Sequence, residues 1–219
     1  MITFAQFAES LAAGRGQVLF RERVADLDTP VGAFLRLVQG RPNAFLLESV
    51  EGGAARGRFS AIGMEPDLLW RCRNGVAEIN RHALAAPHAF VPEAASPIDS
   101  LRALVAECRM PMPAGLPSIA AGLFGFLGYD MVRQIEKLPA KNPDVLGIPE
   151  AVMFRPTLVA VFDHVRDTLT LVTAVWPEPG LDPKAAWDAA QTRLDEAEAA
   201  LDRPLPLSLI HISEPTRLR

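Results

Sequence analysis

Apolar and polar positions alternate in short blocks along this chain, and the period of each block points to an element. Phe4, Phe7, Ala8 and Leu11 recur at helical spacing behind Thr3 and Gln6, a T-x-x-Q capping box, and Gly14 offers a stop, so a helix is expected over about residues 4 to 13. Gln17 to Ala25 (QVLFRERVA) reads as an extended, partly alternating segment. Thr29 as cap, Pro30 at the first helical position and Val31, Phe34, Leu35 and Val38 define a second helix closed by Gly40. Ala44 to Ser49 (AFLLES) is almost wholly apolar and ends in a carboxylate and a hydroxyl, which predicts a buried strand whose tail emerges at a polar site. Arg58 to Gly63 (RFSAIG) is the next strand.

Farther on, LLWRCR and VAEINR flank Asn74-Gly75, and Asn-Gly between two strand-like runs signals a tight hairpin. Residues 82 to 97, rich in Ala and Pro, read as a surface connection. Ser96 and Pro97 open a third helix carried by Ile98, Leu101, Leu104, Val105 and Cys108, and MPMP ends it near Arg109, because proline lacks the amide a helix needs. Ala120 to Leu127 reads as a glycine-interrupted strand and Tyr129 to Leu138 as a short helix stopped by Pro139. LVAVFDH and TLTLVTAV form a second hairpin around Val165 to Asp167. Asp182 caps and Pro183 starts the last helix, with Trp187, Ala190, Leu194, Ala197 and Leu201 as its inward stripe. Helices and hairpins interleave without the regular βαβ alternation of a parallel sheet, so the expected fold is α+β, with antiparallel sheets and flanking helices.

Composition narrows the classes. With 219 residues, 49% hydrophobic and 22% charged, the chain can bury a core as one domain. A net charge of −4 with scattered Lys and Arg leaves no basic field for a phosphate backbone, so nucleic acid is set aside. No apolar run reaches the roughly 20 residues of a membrane span, and the amino terminus has no basic lead-in, so a cytoplasmic protein is expected. Cys72 and Cys108 stand far apart with no metal or disulfide spacing, and His82, His88 and His211 have no partner at metal-ligand spacing, so no metal site is expected.

Gly122, Gly125 and Gly128 are three residues apart, unlike a dinucleotide finger or a phosphate loop, and are read as permitting close backbone approach within a strand. Asp163, His164, Arg166 and Asp167 are read as solvated turn residues. Glu48 and Ser49, with Arg58 and Ser60 on the next strand, form a more informative group. Paired antiparallel, these side chains would gather at one sheet edge, as an ordinary Glu–Arg ion pair or as a site for a zwitterionic small molecule.

Three stretches in order, FLLESVEGGAARGRFSAIG (45 to 63), AGLFGFLGYDMVRQIEKLP (121 to 139) and IPEAVMFRPTLVAVFDHVRDTLTLVT (148 to 173), resemble the N-terminal region of anthranilate synthase component I, of the chorismate-utilising enzyme family. The resemblance covers about residues 1 to 206. It implies a regulatory domain that carries part of the tryptophan feedback site, with Ser49 the first contact, Leu47 and Glu48 beside it, and Arg58 as a looser match. The full family enzyme converts chorismate, with ammonia from a glutamine amidotransferase subunit (component II), to anthranilate and pyruvate with Mg²⁺. Its chorismate- and Mg²⁺-binding residues belong to a C-terminal domain that nothing here matches, so these 219 residues alone are expected to be an inactive fragment with no cofactor of their own. Residues 207 to 219 (LSLIHISEPTRLR) depart from the family and resemble a translated sequencing adapter, a non-native tail. Two alternatives stay open: the matching domain of aminodeoxychorismate synthase component I, and a stand-alone amino-acid-binding module.

Overall fold

A computed structural model of the chain describes residues 2–50, 56–139 and 144–205. Its elements run α1 (Phe4–Ala12), β1 (Gln17–Val24), α2 (Pro30–Val38), β2 (Phe45–Val50), β3 (Arg56–Arg73), β4 (Val76–Asn80), β5 (Val91–Pro92), α3 (Pro97–Glu107), β6 (Phe124–Leu127), β7 (Ala151–Asp163), β8 (Thr168–Val175) and α4 (Pro183–Leu201). All strand pairs are antiparallel and belong to one sheet of order β1-β8-β7-β3-β4-β5, with β2 beside the start of β3 and β6 beside the start of β7. The α+β architecture read from the sequence is the one observed.

Local signals acted as expected at the helix starts. Thr3 and Gln6 bond reciprocally, the Gln6 amide to Thr3 Oγ1 at 3.4 Å and the Thr3 amide to Gln6 Oε1 at 3.0 Å. Thr29, Ser96 and Asp182 each cap a helix with a proline in its first turn. Asn74 and Gly75 both take positive φ, 51° and 71°, the combination a two-residue hairpin turn of matching twist requires.

Helices cover both faces of the sheet. On one face α1, α2 and α4 pack Phe7, Leu37 and Leu194 against Ile62, Met64, Leu158, Phe162 and Leu171. On the other, α3 and the segment after it pack Leu104 and Ala120 against Trp70, Val159, Val161 and Val172. Because successive strand residues point to opposite faces and both faces are covered, β7 is buried from Arg155 to Asp163 and β8 from Leu169 to Ala174, as near-continuous apolar runs.

Four expectations are corrected. The strands read over 58–63 and at LLWRCR are one strand, β3, broken in register between Pro66 and Leu68, with Glu65 at φ 53°. The extra residue reverses its parity: Ile62 and Met64 face α2 and α4, whereas Leu68, Trp70 and Cys72 face α3. β2 is not buried; it pairs on one side only, and Leu47 is half-exposed. The strand expected from Ala120 shrinks to β6, preceded by a 3₁₀ turn at Ser118–Ala120. The helix expected over 129 to 138 is a 3₁₀ turn, Tyr129–Gln134. Only Met131 of that turn is buried, too little apolar burial to hold a longer α-helix against its ordering cost.

Candidate ligand site

The strand β2 brings Leu47 and Glu48 opposite Ala61 and Ser60 of β3. Cross-strand partners share a face, so Leu47 lies on the face of Ala61 and Glu48 on that of Ser60. Ser60 is buried, its Oγ 2.8 Å from His164 Nε2, and the His164 ring stacks on Phe162 with centroids 6.2 Å apart. Glu48 itself is exposed at the rim of this pair.

Arg58 is bound by Asp163 rather than by Glu48. Its Nη2 donates to Asp163 Oδ2 at 2.8 Å, Nε lies 3.2 Å from both carboxylate oxygens, and the guanidinium carbon sits 4.8 Å from the centre of the Phe59 ring. Asp163 also accepts the turn amides of Val165 and Arg166. The Arg58 hydrogen bond holds the Asp163 carboxyl below the usual aspartate range, and the same bond raises Arg58. Asp163 is therefore buried and committed, not the solvated turn residue the sequence suggested; Arg166 and Asp167 are exposed, as expected. The Ser49 side chain lies outside the described residues.

On the Leu47 face, Phe45 stacks against Phe124 with centroids 4.6 Å apart and tilts against Phe154 at 5.4 Å. These three aromatics come one from each of the three stretches singled out in the sequence. Two glycines set the approach. A Cβ on Gly63 would fall 2.2 Å from the Phe45 ring, and one on Gly125 would fall 1.9 Å from the Val152 carbonyl oxygen. Gly128 is likewise pressed against Glu150 O, whereas Gly122 faces open space and does not serve a close approach. The candidate residues are thus divided: Glu48 is an exposed carboxylate on the Ser60 face, half-exposed Leu47 lies on the opposite face with an aromatic cluster that ties β2 to β6 and β7, and the Arg58 guanidinium is taken by Asp163. What sequence reasoning missed was Asp163 and His164 as the partners of Arg58 and Ser60, about a hundred positions away and without any local signal.

Leu127, Tyr129, Ile135, Val145, Leu146 and Ile148, at the end of β6 and in the described parts of the chain before β7, are exposed apolar side chains. Among the described residues no group of three or more His, Cys, Asp and Glu side chains is placed to hold a metal ion, and no helix is long and apolar enough to cross a membrane.

An antiparallel sheet with flanking helices is a fold this chain shares with part of a solved structure: the crystal structure of anthranilate synthase component I from Streptococcus pneumoniae superposes with a TM-score of 0.54 over 84% of this chain and 37% of the other, at 22% identity. No protein-family model matches the chain. By sequence the chain is similar to part of anthranilate synthase component 1 of Cereibacter sphaeroides, 48% identical over 206 residues, 94% of this chain. It is 36% identical to that of Mycolicibacterium smegmatis over 90% of this chain and 39% identical to that of Thermus thermophilus over 84%. The chain spans about two fifths of the length of these relatives, 41%, 37% and 36% respectively.

Proposed function

We infer that this chain is the N-terminal regulatory part of an anthranilate synthase component I, and that residues 1–206 form the domain which contributes to tryptophan feedback. The observation that carries the reading is the 48% identity over nearly the whole chain to a protein of which it spans 41%. The convergence of the three motif stretches on the Phe45, Phe124 and Phe154 cluster supports it, since that cluster supports the strand bearing Leu47, Glu48 and Ser49. In this reading Glu48 supplies a carboxylate for an ammonium group and Arg58, still half-exposed beside Asp163, a donor for a carboxylate, while Leu47, on the opposite face of β2, offers an apolar contact only to a ligand that wraps the strand edge.

Chorismate chemistry, Mg²⁺ and the amidotransferase subunit belong in this reading to the rest of the full-length protein, which works in the cytoplasm. The exposed apolar side chains Leu127, Tyr129, Ile135, Val145, Leu146 and Ile148 are, in this reading, where that remainder packs. The same surface weighs against a stand-alone binding module, which would need a polar exterior there.

The test has two arms. Mixed or co-expressed with the remaining three fifths of a relative's chain, these residues should restore tryptophan-inhibited formation of fluorescent anthranilate from chorismate, ammonia and Mg²⁺, and Glu48→Gln or Ser49→Ala should relieve the inhibition while leaving activity. Anthranilate formation by the chain alone, or inhibition unchanged in both variants, would overturn the assignment. Formation of aminodeoxychorismate instead would transfer the chain to the aminodeoxychorismate synthases.

A further inference from the structure

Arg193, on the inner side of α4, is a guanidinium without a carboxylate. Its Nη1 donates to Thr173 Oγ1 at 2.6 Å, and Thr173, on β8 opposite Leu158, is fully buried. No other hydrogen bond from Arg193 and no ion pair to it occurs among the described residues. The nearest acids are otherwise engaged or offset. Asp67 is held by Arg155 through bonds of 2.8 and 2.9 Å, and Glu196 lies one helical turn away along α4. Burial pushes the Arg193 guanidinium below the ordinary arginine value, and the fields of Asp67 and Glu196 only partly oppose that shift. A guanidinium has five donors, so most of those on Arg193 have no protein acceptor here.

Those donors border a cavity of about 390 Å³ between α2, α4 and the sheet. Its floor is apolar, with Leu37, Met64 and Leu158 all buried. Its charged lining is three arginines, Arg41, Arg193 and Arg203, against two glutamates, Glu65 and Glu196. Arg41 is spent, since it pairs with Glu65 and donates to the Leu37 and Val38 carbonyls that end α2. Arg193, half-buried, and exposed Arg203 are left to face the space, against one exposed carboxylate, Glu196, that has no ion pair among the described residues, so one positive charge is in excess. The cavity is distinct from the Leu47–Glu48 region, because Met64 and Glu65 lie four and five residues past Ser60 along β3, roughly 13 to 17 Å away.

We propose that this cavity is a binding site for a small organic carboxylate with an apolar body, whose carboxylate takes up the free donors of Arg193 while its body rests on Leu37, Met64 and Leu158. Charge alone would suit any oxyanion. The apolar floor selects the carboxylate over phosphate, because a fully hydrated dianion gains nothing from burial against Leu and Met side chains.

Calorimetric titration of the 219-residue chain with benzoate, at ionic strength fixed with chloride, tests this directly, with inorganic phosphate as the second probe. Saturable benzoate binding is expected, weakened at least about tenfold in Arg193→Gln, and by a smaller factor in Arg203→Gln, whose exposed side chain can be lost without disturbing the fold. Arg102→Gln, on the exposed face of α3, should bind as the wild type does. Absent binding, binding unchanged in Arg193→Gln, or phosphate bound more tightly than benzoate would each overturn the proposal. Should Arg193→Gln fail to fold, an unchanged affinity in Arg203→Gln overturns it as well.

Discussion

Arg155 of β7 and Asp67 of β3 form a two-pronged ion pair across the central strand pair, Nε to Oδ1 at 2.8 Å and Nη2 to Oδ2 at 2.9 Å, immediately beside the register break. The guanidinium lies 4.8 Å over the Trp176 ring and is 6% exposed. Burial opposes its charge, and the hydrogen bonds and field of Asp67 outweigh that and raise its pKa. The pair sits at the point where β3 reverses its faces, with Asp67 the extra residue of the break.

Removing one partner should therefore cost more than removing both. Asp67→Ala removes both hydrogen-bonded carboxylate oxygens from a buried guanidinium, leaving only Glu107 at 3.8 Å, and is expected to lose about 3 kcal/mol in urea denaturation, whereas the double change Asp67→Ala with Arg155→Met should recover much of that loss. Equal losses in the single and double variants would contradict this account.

Gly125 sits where the β6 backbone meets β7, and a methyl group there would penetrate to 1.9 Å from the Val152 carbonyl oxygen. Backbone cannot swing aside as a side-chain tip can, so Gly125→Ala should cost about 1 to 3 kcal/mol or more by thermal melting. Gly122→Ala, facing open space at φ 128°, pays only for its backbone conformation and should cost less.

The Arg58–Asp163 bond gives the chain an acid-sensitive component of stability. A folded-state pKa held below the unfolded one means the contribution is present above the unfolded aspartate value, about 3.9, and disappears as pH falls through the lower folded value. Urea midpoints of wild type and Asp163→Asn should accordingly differ at pH 7, begin to approach each other only below about pH 4, and converge once the pH has fallen through the lower folded value. A gap that stays constant down to that range would show that the loss comes from the turn amides and not from the charge.

Neither cysteine should react in the folded protein. Cys72 is fully buried and its thiol is pushed up to about 11 by burial and by the nearby Glu150 carboxylate. The Cys108 thiol is raised too, chiefly by burial, against the opposing pull of Arg155. Ellman's reagent at pH 8 is expected to titrate both only after denaturation, and rapid native labelling of either would place it at a surface.

Helix starts, the Asn74-Gly75 hairpin, the second hairpin and the inward stripe of α4 could all be read from the chain, because each depends on residues within a turn or two of one another. The family resemblance was legible for a similar reason: three motifs survive as contiguous strings. Leu47, Glu48 and Arg58 could be named as a group because they lie on strands joined by a short connection.

Tertiary structure decided what depends on pairing. Only the pairing shows that Leu47 shares a face with Ala61 and Glu48 with Ser60, that Arg58 belongs to Asp163 rather than Glu48, and that one extra residue near Pro66 merges two apparent strands into one. Likewise, nothing local in α4 distinguishes Arg193 from its exposed neighbours. Its isolation is set by Thr173 on another element and by Arg155 having taken Asp67 first, and competition for a partner across the fold leaves no trace in the spacing of residues along it.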